Sequence, residues 1–271
     1  MISLILSLIC VVMADEAQIY LNESFEDSVQ GGFTSASHMQ NLSLVNGGVD
    51  EGKALRVRVG DNTHYGTSIA YRFQDAGLDE PEALHGRYYV KFGKTWDPGR
   101  GGKLPGISGT YRRAGWGGRP VDGTNGWSAR MSFRKSKIRE GETQISYYSY
   151  HADMKGQYGS SFRWENEGRG SLANDRWYCI ETYVSMNTPG ENDGVLRGWV
   201  DGEPAMEKTD IRFRDVDSLK VEQFWFNIYY GGKWAAPADM HIDFDSVVLS
   251  DQRVGCLGES KSKASHPPAA R

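Results

Sequence analysis

Residues 128–134 read SARMSFR, a run in which small or apolar side chains alternate with polar or charged ones. Successive side chains of a β-strand point to opposite faces of the sheet, so this alternation predicts a strand with one buried face. Ala129, Met131 and Phe133 are expected to face the core, which leaves Arg130 on the opposite face. The stretch therefore predicts a half-buried strand that presents an arginine away from the core.

Similar strand signals recur along the chain between Gly, Asn, Asp and Pro residues, and no stretch shows a long helical period. The nine predicted strands are residues 53–59, 67–73, 87–92, 128–134, 144–151, 177–186, 195–200, 222–230 and 241–249. Many strands without a clear helix predict an all-β fold, a β-jelly roll of two packed antiparallel sheets. In such folds one sheet is often curved, and its concave face forms a groove suited to a long polymer.

Two other predicted strands add to the face that carries Arg130. Alternation places Tyr148 and Tyr150 on one face of residues 144–151, and Trp225, Asn227 and Tyr229 opposite the apolar side of residues 222–230. Aromatic rings stack on sugar faces, and arginine binds carboxylates through two parallel hydrogen bonds. This combination favours a groove for an anionic sugar polymer, although each residue taken singly is also compatible with ordinary surface.

Composition and charge narrow the class of protein. The 271 residues are 39% hydrophobic and 24% charged, with 33 Gly, which excludes a transmembrane bundle, a coiled coil and a disordered chain. The net charge of -4 argues against a general nucleic-acid binder. Residues 91–140 nevertheless hold twelve Lys or Arg and three acidic residues, a net charge of +9. This basic segment predicts local attraction of an anion.

The ends of the chain suggest export. Residues 1–14 contain an apolar run that is too short to span a bilayer, which needs ~20 residues, and that predicts a secretory signal. Residues 15–257 are predicted to form a single domain, and the polar residues 258–271 a disordered tail. Removal of the signal leaves Cys179 and Cys256, either as one disulfide or as two separate buried thiols. We expect a secreted protein.

Three activities are compatible with such a groove. A glycoside hydrolase needs two carboxylates, for which Asp243 and Asp245 are the best local candidates. A sugar-binding module needs only charge and rings. A β-eliminating enzyme must neutralise the uronate carboxylate, remove the C5 proton and protonate the leaving O4, for which Arg, Lys and Tyr suffice.

Several motifs favour the third activity because together they resemble polysaccharide lyase family 14. The motifs, in chain order, are KLPG at 103–106, GWSARM at 126–131, YSY at 148–150, WYCIETYVSMNT at 177–188, DG at 193–194, GWVDG at 198–202, YGG at 230–232 and FD at 244–245. The resemblance covers about residues 85–250. It implies a β-jelly-roll lyase of alginate or glucuronan that works without an obligatory cofactor and without a metal.

The resemblance also assigns roles by position. Lys103 matches the family's essential lysine, Ser128 and Arg130 its Ser-x-Arg element, and Tyr148 and Tyr150 its tyrosine pair. Arg130 and Lys103 would bind the carboxylate, with Lys103 a possible base, and one tyrosine would be the acid at O4 and a second candidate for the base.

Further substrate contacts are predicted around these residues. They are Ser128, Trp127, Arg112, Arg119, Trp225, Asn227 and Tyr229. Arg112 and Arg119 belong to an Arg- and Gly-rich segment, residues 107–125, that we interpret as a lid or a subsite wall. The expected partner is an acidic polysaccharide, with alginate, as polymannuronate, ahead of glucuronan. Neither nucleic acid nor a membrane is expected as a partner, and the protein is expected to be a monomer.

Overall fold

Residues 16–258 are described by the computed structural model, and the predicted signal, residues 1–14, lies outside this range with most of the predicted tail. The strands are β1 (Ile19–Glu23), β2 (Ser35–Ser37), β3 (Leu42–Asn46), β4 (Lys53–Val59), β5 (Tyr65–Arg72), β6 (Ala83–Phe92), β7 (Gly102–Gly109), β8 (Trp127–Lys135), β9 (Thr143–Tyr150), β10 (Ser160–Arg163), β11 (Ser171–Leu172), β12 (Tyr178–Ser185), β13 (Gly194–Val200), β14 (Glu203–Ile211), β15 (Gln223–Tyr230) and β16 (Met240–Ser250). Three short 3-10 helices span Met39–Asn41, Gln74–Ala76 and Asn166–Gly168. No helix within residues 16–258 is long and apolar enough to cross a bilayer.

The strands form two antiparallel sheets of eight strands each. The outer sheet has the order β14-β13-β12-β6-β16-β4-β3, and β1 pairs with β16. The site sheet has the order β10-β9-β8-β7-β15-β5-β2, and β11 pairs with β9. Strands that are neighbours in a sheet are often distant in sequence, as β7 and β15 are, which is the connectivity of the predicted β-jelly roll.

The hydrophobic core lies between the sheets and confirms the predicted alternation. Met131 and Phe133 of β8 and Phe226 of β15 are buried in one cluster with Ile242 and Phe244 of β16. Each of these side chains alternates along its strand with a polar or charged residue that faces away from the core. The face of the site sheet that points away from the core, here called the site face, therefore carries most of the predicted functional side chains.

The nine predicted strands are all present, with ends shifted mostly by one or two residues, and seven strands were not predicted. The most consequential omission is β7, whose sequence GKLPGISG contains three glycines and a proline. Gly and Pro are depleted from strands, so this stretch resembled a loop. Gly106 is required there, because a Cβ at this position would lie 2.6 Å from the Cα of Arg130.

β7 also carries a β-bulge at Pro105, which has no opposite residue on β8. On its two sides, Lys103 lies opposite Ser132 and Gly106 lies opposite Arg130. Residues three apart face opposite sides of a regular strand, but the extra residue places Lys103 and Gly106 on the same face. Proline fits at a bulge because its missing N–H leaves no ladder hydrogen bond broken. The bulge thus turns the Lys103 side chain towards the site face.

Asp243 and Asp245, the candidate pair for hydrolysis, lie on the opposite side of the molecule from the site face. Asp243 accepts hydrogen bonds of 2.8 and 3.0 Å from Arg56 and lies 3.6 Å from the ammonium of Lys91. Asp245 accepts backbone hydrogen bonds from Val49 and from Ser246. Both carboxylates are occupied in holding the outer sheet together. Lys91 also shows that the basic segment is divided between two faces rather than gathered in one patch.

A disulfide joins Cys179 of β12 to Cys256 in the segment after β16, with the two Cα atoms 6.0 Å apart. Of the two alternatives for these cysteines, the disulfide is therefore the one observed. Glu181, two residues after Cys179, accepts the backbone N–H groups of Val254 and Gly255. The disulfide and these hydrogen bonds hold residues 254–256 against the outer sheet.

Replacing Cys256 with serine should lower the free energy of unfolding by about 2–5 kcal/mol, because the bridge closes a loop across a sequence separation of 77 residues. Guanidinium unfolding of the wild type and the variant measures the difference. Wild-type protein unfolded with a reductant present is the control and should match the variant. An unchanged denaturation midpoint would contradict the prediction.

Candidate active site

Arg130 lies near the centre of the site face, on strand β8 of the site sheet. The side chain is 5% exposed, and its Nη1 donates a 3.2 Å hydrogen bond to the Oδ1 of Asn227. Its guanidinium carbon lies 4.5 Å from the centre of the Trp225 ring. Gly106 sits between Arg130 and Trp225 in the same cross-strand row, so no side chain separates them. Burial lowers the pKa of Arg130 to about 10, which still leaves it cationic at neutral pH.

Lys103 is half-buried beside Arg130. Its ammonium lies 3.8 Å from the centre of the Tyr148 ring, within the range of a cation–π contact. Burial, and secondarily the positive charge of Arg130, lower the pKa of Lys103 to about 7. A lysine with this pKa is partly neutral at physiological pH and can accept a proton.

Tyr148 completes the group, on β9 directly opposite Arg130. The backbone N–H of Gly159 donates a 3.1 Å hydrogen bond to the phenolic oxygen of Tyr148. Burial and the neighbouring Tyr150 raise the pKa of the Tyr148 hydroxyl well above its ordinary value. The phenol therefore keeps its proton at neutral pH and can donate it.

Tyr150 lies behind Tyr148, with the two ring centres 5.7 Å apart. It is 1% exposed, because the segment before β8 packs over it, and the N–H of Gly118 donates a 3.0 Å hydrogen bond to its hydroxyl. Ala114 and Val121 of that segment are buried against the same ring. Of the segment predicted as a lid or wall, residues 107–109 are the end of β7, and residues 110–125 form a wall that Tyr150 contacts.

Asn227 and Trp225 lie on the site face as predicted. Asn227 donates from Nδ2 to the carbonyl of Thr67 and accepts from Arg130, so its amide orients the guanidinium. The indole N–H of Trp225 donates to the hydroxyl of Ser68 at 2.8 Å.

Tyr229 lies on the site face at the end nearer Lys103. It is directly opposite Lys103 across the β7–β15 pair. Its ring stacks on His64 and meets Tyr65 edge to face, with ring centres 5.7 and 5.0 Å away. These three side chains form an aromatic edge at this end of the site.

The two predicted arginines of the wall differ in position. Arg112 is exposed and lines a pocket that also contains Trp116 and Trp225. Arg119 is exposed and lies over Trp116, with its guanidinium carbon 4.5 Å from the ring centre. Ser128 is buried beneath the wall, and its hydroxyl donates to the carbonyl of Gly115 at 2.7 Å. Ser128 thus anchors the wall to β8, and the prediction that it contacts substrate is corrected, because it is fully buried beneath the wall.

The prediction that Trp127 binds substrate is corrected by the structure. Its side chain is fully buried, packs against Phe213 with ring centres 4.9 Å apart, and donates from Nε1 to the carbonyl of Lys220. Trp127 lies two residues before Ala129 and therefore faces the same side of the sheet, so the alternation of this strand already placed it in the core.

Sequence reasoning missed Trp116, Arg72 and Gln223, which lie on the site face beyond Trp225. The signal for Arg72 was present, because residues 68, 70 and 72 alternate with the apolar residues Ile69 and Tyr71. Trp116 could not be placed, since it belongs to an irregular segment without a period.

The charge distribution of the site indicates its ligand. No carboxylate within the described part of the chain pairs with either Lys103 or Arg130. Burying unpaired cations is costly, so such an arrangement suits an anionic ligand that supplies the missing charge. Lys103 in its neutral form is a proton acceptor, and Tyr148 beside it is a proton donor. The site can therefore bind a carboxylate and exchange protons next to it.

The chain matches one protein family. The sequence model for Polysaccharide lyase 14 matches residues 53–247, a range that includes Lys103, Arg130, Tyr148 and Tyr150. No curated protein matches this chain.

Several solved structures share the fold. The marine PL-14 alginate lyase from Aplysia kurodai is 22% identical with a TM-score of 0.69, and the match covers 86% of this chain and 99% of that one. Alginate lyase Aly36B in complex with an alginate trisaccharide is 24% identical with a TM-score of 0.66, and the match covers 79% of this chain and 86% of that one. The endo-β-1,4-glucuronan lyase from the fungus Trichoderma reesei is 12% identical with a TM-score of 0.59, and the match covers 91% of this chain and 98% of that one. At these identities the likeness shows the β-jelly-roll fold alone.

Proposed function

Because this chain belongs to polysaccharide lyase family 14, we propose that it cleaves the polymannuronate of alginate by β-elimination at Lys103, Arg130 and Tyr148. The observation that carries the proposal is that neither Arg130 nor the amine of Lys103 pairs with a carboxylate of residues 16–258, while a phenol that keeps its proton lies beside them. The same two basic residues support the predicted partner, an acidic polysaccharide.

The reaction begins with binding of a uronate carboxylate by Arg130, which Asn227 holds in place. Neutralising the carboxylate lets negative charge develop on it when C5 loses its proton. The C5 proton passes to the neutral amine of Lys103, the C5–H electron pair forms the C4–C5 double bond, and the C4–O4 bond breaks. The hydroxyl of Tyr148 donates its proton to the departing O4. The products are one chain with an unsaturated end and one with a new hydroxyl.

The closeness of the base and the acid bears on which uronate is used. Lys103 lies over the Tyr148 ring, so both groups reach the sugar from one side. In mannuronate and glucuronate the C5 hydrogen and O4 lie on the same side of the ring, whereas in guluronate they lie on opposite sides. The proposed site therefore favours polymannuronate and glucuronan over polyguluronate. Glucuronan is the second candidate, since the glucuronan lyase of Trichoderma reesei shares the fold.

Separate incubation with polymannuronate, glucuronan and polyguluronate tests the proposed substrate. Ultraviolet absorbance of the new double bond follows elimination, and reducing-end assays run in parallel detect any hydrolysis. Polymannuronate should give the fastest rise in absorbance. Reducing ends without absorbance would contradict β-elimination, and fastest cleavage of polyguluronate would contradict the one-sided arrangement of acid and base.

The pH dependence should follow the lowered pKa of Lys103, which lies at about 7. The base must be neutral, so kcat/KM should rise about tenfold per pH unit below pH 7 and level off above it. A bound carboxylate raises the pKa of a nearby amine, so the corresponding limb of kcat should lie at higher pH. Initial rates between pH 5 and pH 9 measure both profiles. A flat kcat/KM across pH 7 would exclude Lys103 as the base.

The disulfide between Cys179 and Cys256 supports the proposal that the protein is secreted. Disulfides persist in oxidising compartments and are rare in the reducing cytosol. Expression with the complete N-terminus, followed by assay of the medium and mass measurement of the mature chain, tests export and cleavage after Ala14.

A further inference from the structure

A pocket of about 240 Å³ lies on the site face beside Trp225, on the side away from Arg130. Its floor consists of small side chains on the last two strands of the site sheet, such as Ser35 and Ala70, which lie opposite each other. Trp116 of the wall forms another side of the pocket, and its ring meets Trp225 edge to face. The small floor and the two indoles leave room for a sugar ring.

The pocket contains polar atoms without partners. Arg72 lies opposite Gln223, and Gln223 lies opposite Ser108 on the next strand. The Nε of Arg72 and the Oε1 of Gln223 are buried and have no hydrogen-bond partner in the described chain, and the same holds for the Oγ of Ser108, which lies outside the pocket lining. Gln223 is only 3% exposed, and it lines the pocket together with Arg72. Buried polar groups in folded proteins are nearly always hydrogen-bonded, so this cluster calls for a ligand with both donors and acceptors.

The charged side chains that line the pocket are all positive. Arg72 and Arg112 both line it, and none of the described residues that line it is acidic. Two arginines that have no counter-ion among residues 16–258 attract an anion, and arginine binds carboxylates through two parallel hydrogen bonds.

We propose that this pocket binds a second uronate unit of the same polysaccharide chain, with its carboxylate on Arg72 and a hydroxyl group on Gln223. This inference rests on the proposed function, because the polymer would cross the strands from Arg130 over Trp225 into the pocket. Arg112 contacts the same unit from the exposed rim. The pocket thereby makes the enzyme prefer chains long enough to occupy both places.

Binding to a catalytically inactive protein tests the pocket independently of turnover. In a Lys103→Ala background, Arg72→Gln should raise the Kd for a mannuronate hexasaccharide about 10- to 100-fold in calorimetry, the range for losing a charged hydrogen bond. Arg176→Gln is the matched control, since it removes the same charge from an exposed arginine paired with Asp201, outside the site face. It should leave the Kd within about twofold.

Kinetics provide the second measurement. With Lys103 intact, Arg72→Gln should reduce the ratio of kcat/KM between hexasaccharide and the shortest cleaved oligosaccharide, and melting temperatures should confirm that the variants are folded. An unchanged Kd, or equal losses for short and long substrates, would overturn the subsite. If the wild type forms no double bond, the proposed function fails, while the calorimetry still decides whether the pocket binds a uronate chain. Absence of any hexasaccharide binding would overturn both proposals.

Discussion

Replacing Lys103 with alanine should lower kcat on polymannuronate about 10³-fold, with a much smaller change in KM. General acid–base catalysis by a positioned group contributes about 10²- to 10⁴-fold, and no other amine of the described chain lies over the Tyr148 ring. Arg130 remains in the variant, so the carboxylate still binds. Double-bond formation under saturating substrate measures the loss.

Two comparisons separate a base from a simple positive charge. Lys103→Arg keeps the charge but cannot become neutral near pH 7, so it should be as inactive as Lys103→Ala. Small amines such as ethylamine should restore part of the activity of Lys103→Ala and none of that of Lys103→Arg. Lys135→Ala is the control within the basic segment, because Lys135 is exposed and pairs with Asp97. Near-normal activity of Lys103→Arg would show that Lys103 supplies charge only.

Replacing Tyr148 with phenylalanine should lower kcat about 10²-fold or more, because the raised pKa of this hydroxyl keeps the proton that the leaving O4 requires. The ring remains, so the contact with Lys103 and the packing of the site should persist. Single-turnover rates with polymannuronate separate this chemical step from binding and product release.

Tyr150→Phe is the matched variant, since it removes the neighbouring hydroxyl from the same strand face. The Tyr150 hydroxyl accepts from Gly118 of the wall and lies in a buried position, so we assign it a positioning role. Its loss should lower kcat less than tenfold and raise KM through a looser wall, and Tyr150→Phe should also lower the melting temperature. A loss of kcat equal to that of Tyr148→Phe, in a protein of wild-type stability, would place the acid on Tyr150 instead.

Much of the fold could be predicted, because the alternation of apolar and polar side chains along a strand can be read from a short stretch of sequence. In β8 and β15 each core residue is followed by one that faces the site, so Arg130, Trp225 and Asn227 were assigned to a common face from their sequence positions alone. The same rule applied to Trp127 would have placed it in the core, where the structure has it. The motif around Arg130 was given more weight than the alternation, so Trp127 was mispredicted as a substrate contact. Ser128 faces away from the core but is buried beneath the wall, which alternation could not show.

The candidate site was predictable only in part, because basic residues that are close together in the sequence can lie on different faces of the folded protein. Lys91 and Arg130 belong to one basic segment, but Lys91 lies on the outer sheet with Asp243, whereas Arg130 lies on the site face and pairs with no carboxylate in the part of the chain that the structure describes. Arg72 lies far outside the segment and reaches the pocket because β5 pairs with β15. Which of these residues lie close together depends on the order of the strands in each sheet, and no local sequence pattern encodes that order.

By itself, the sequence determined two sheets with a buried side each, and the residue types that a polyuronate lyase needs on the accessible side. The resemblance had grouped Lys103 with Arg130 and Tyr148, but only the tertiary structure showed how they meet, because the bulge at Pro105 turns a glycine-rich strand so that the lysine faces the site. Burial there also decided the pKa of its amine, about 7, since desolvation depends on the atoms that pack around a group and not on its neighbours along the chain.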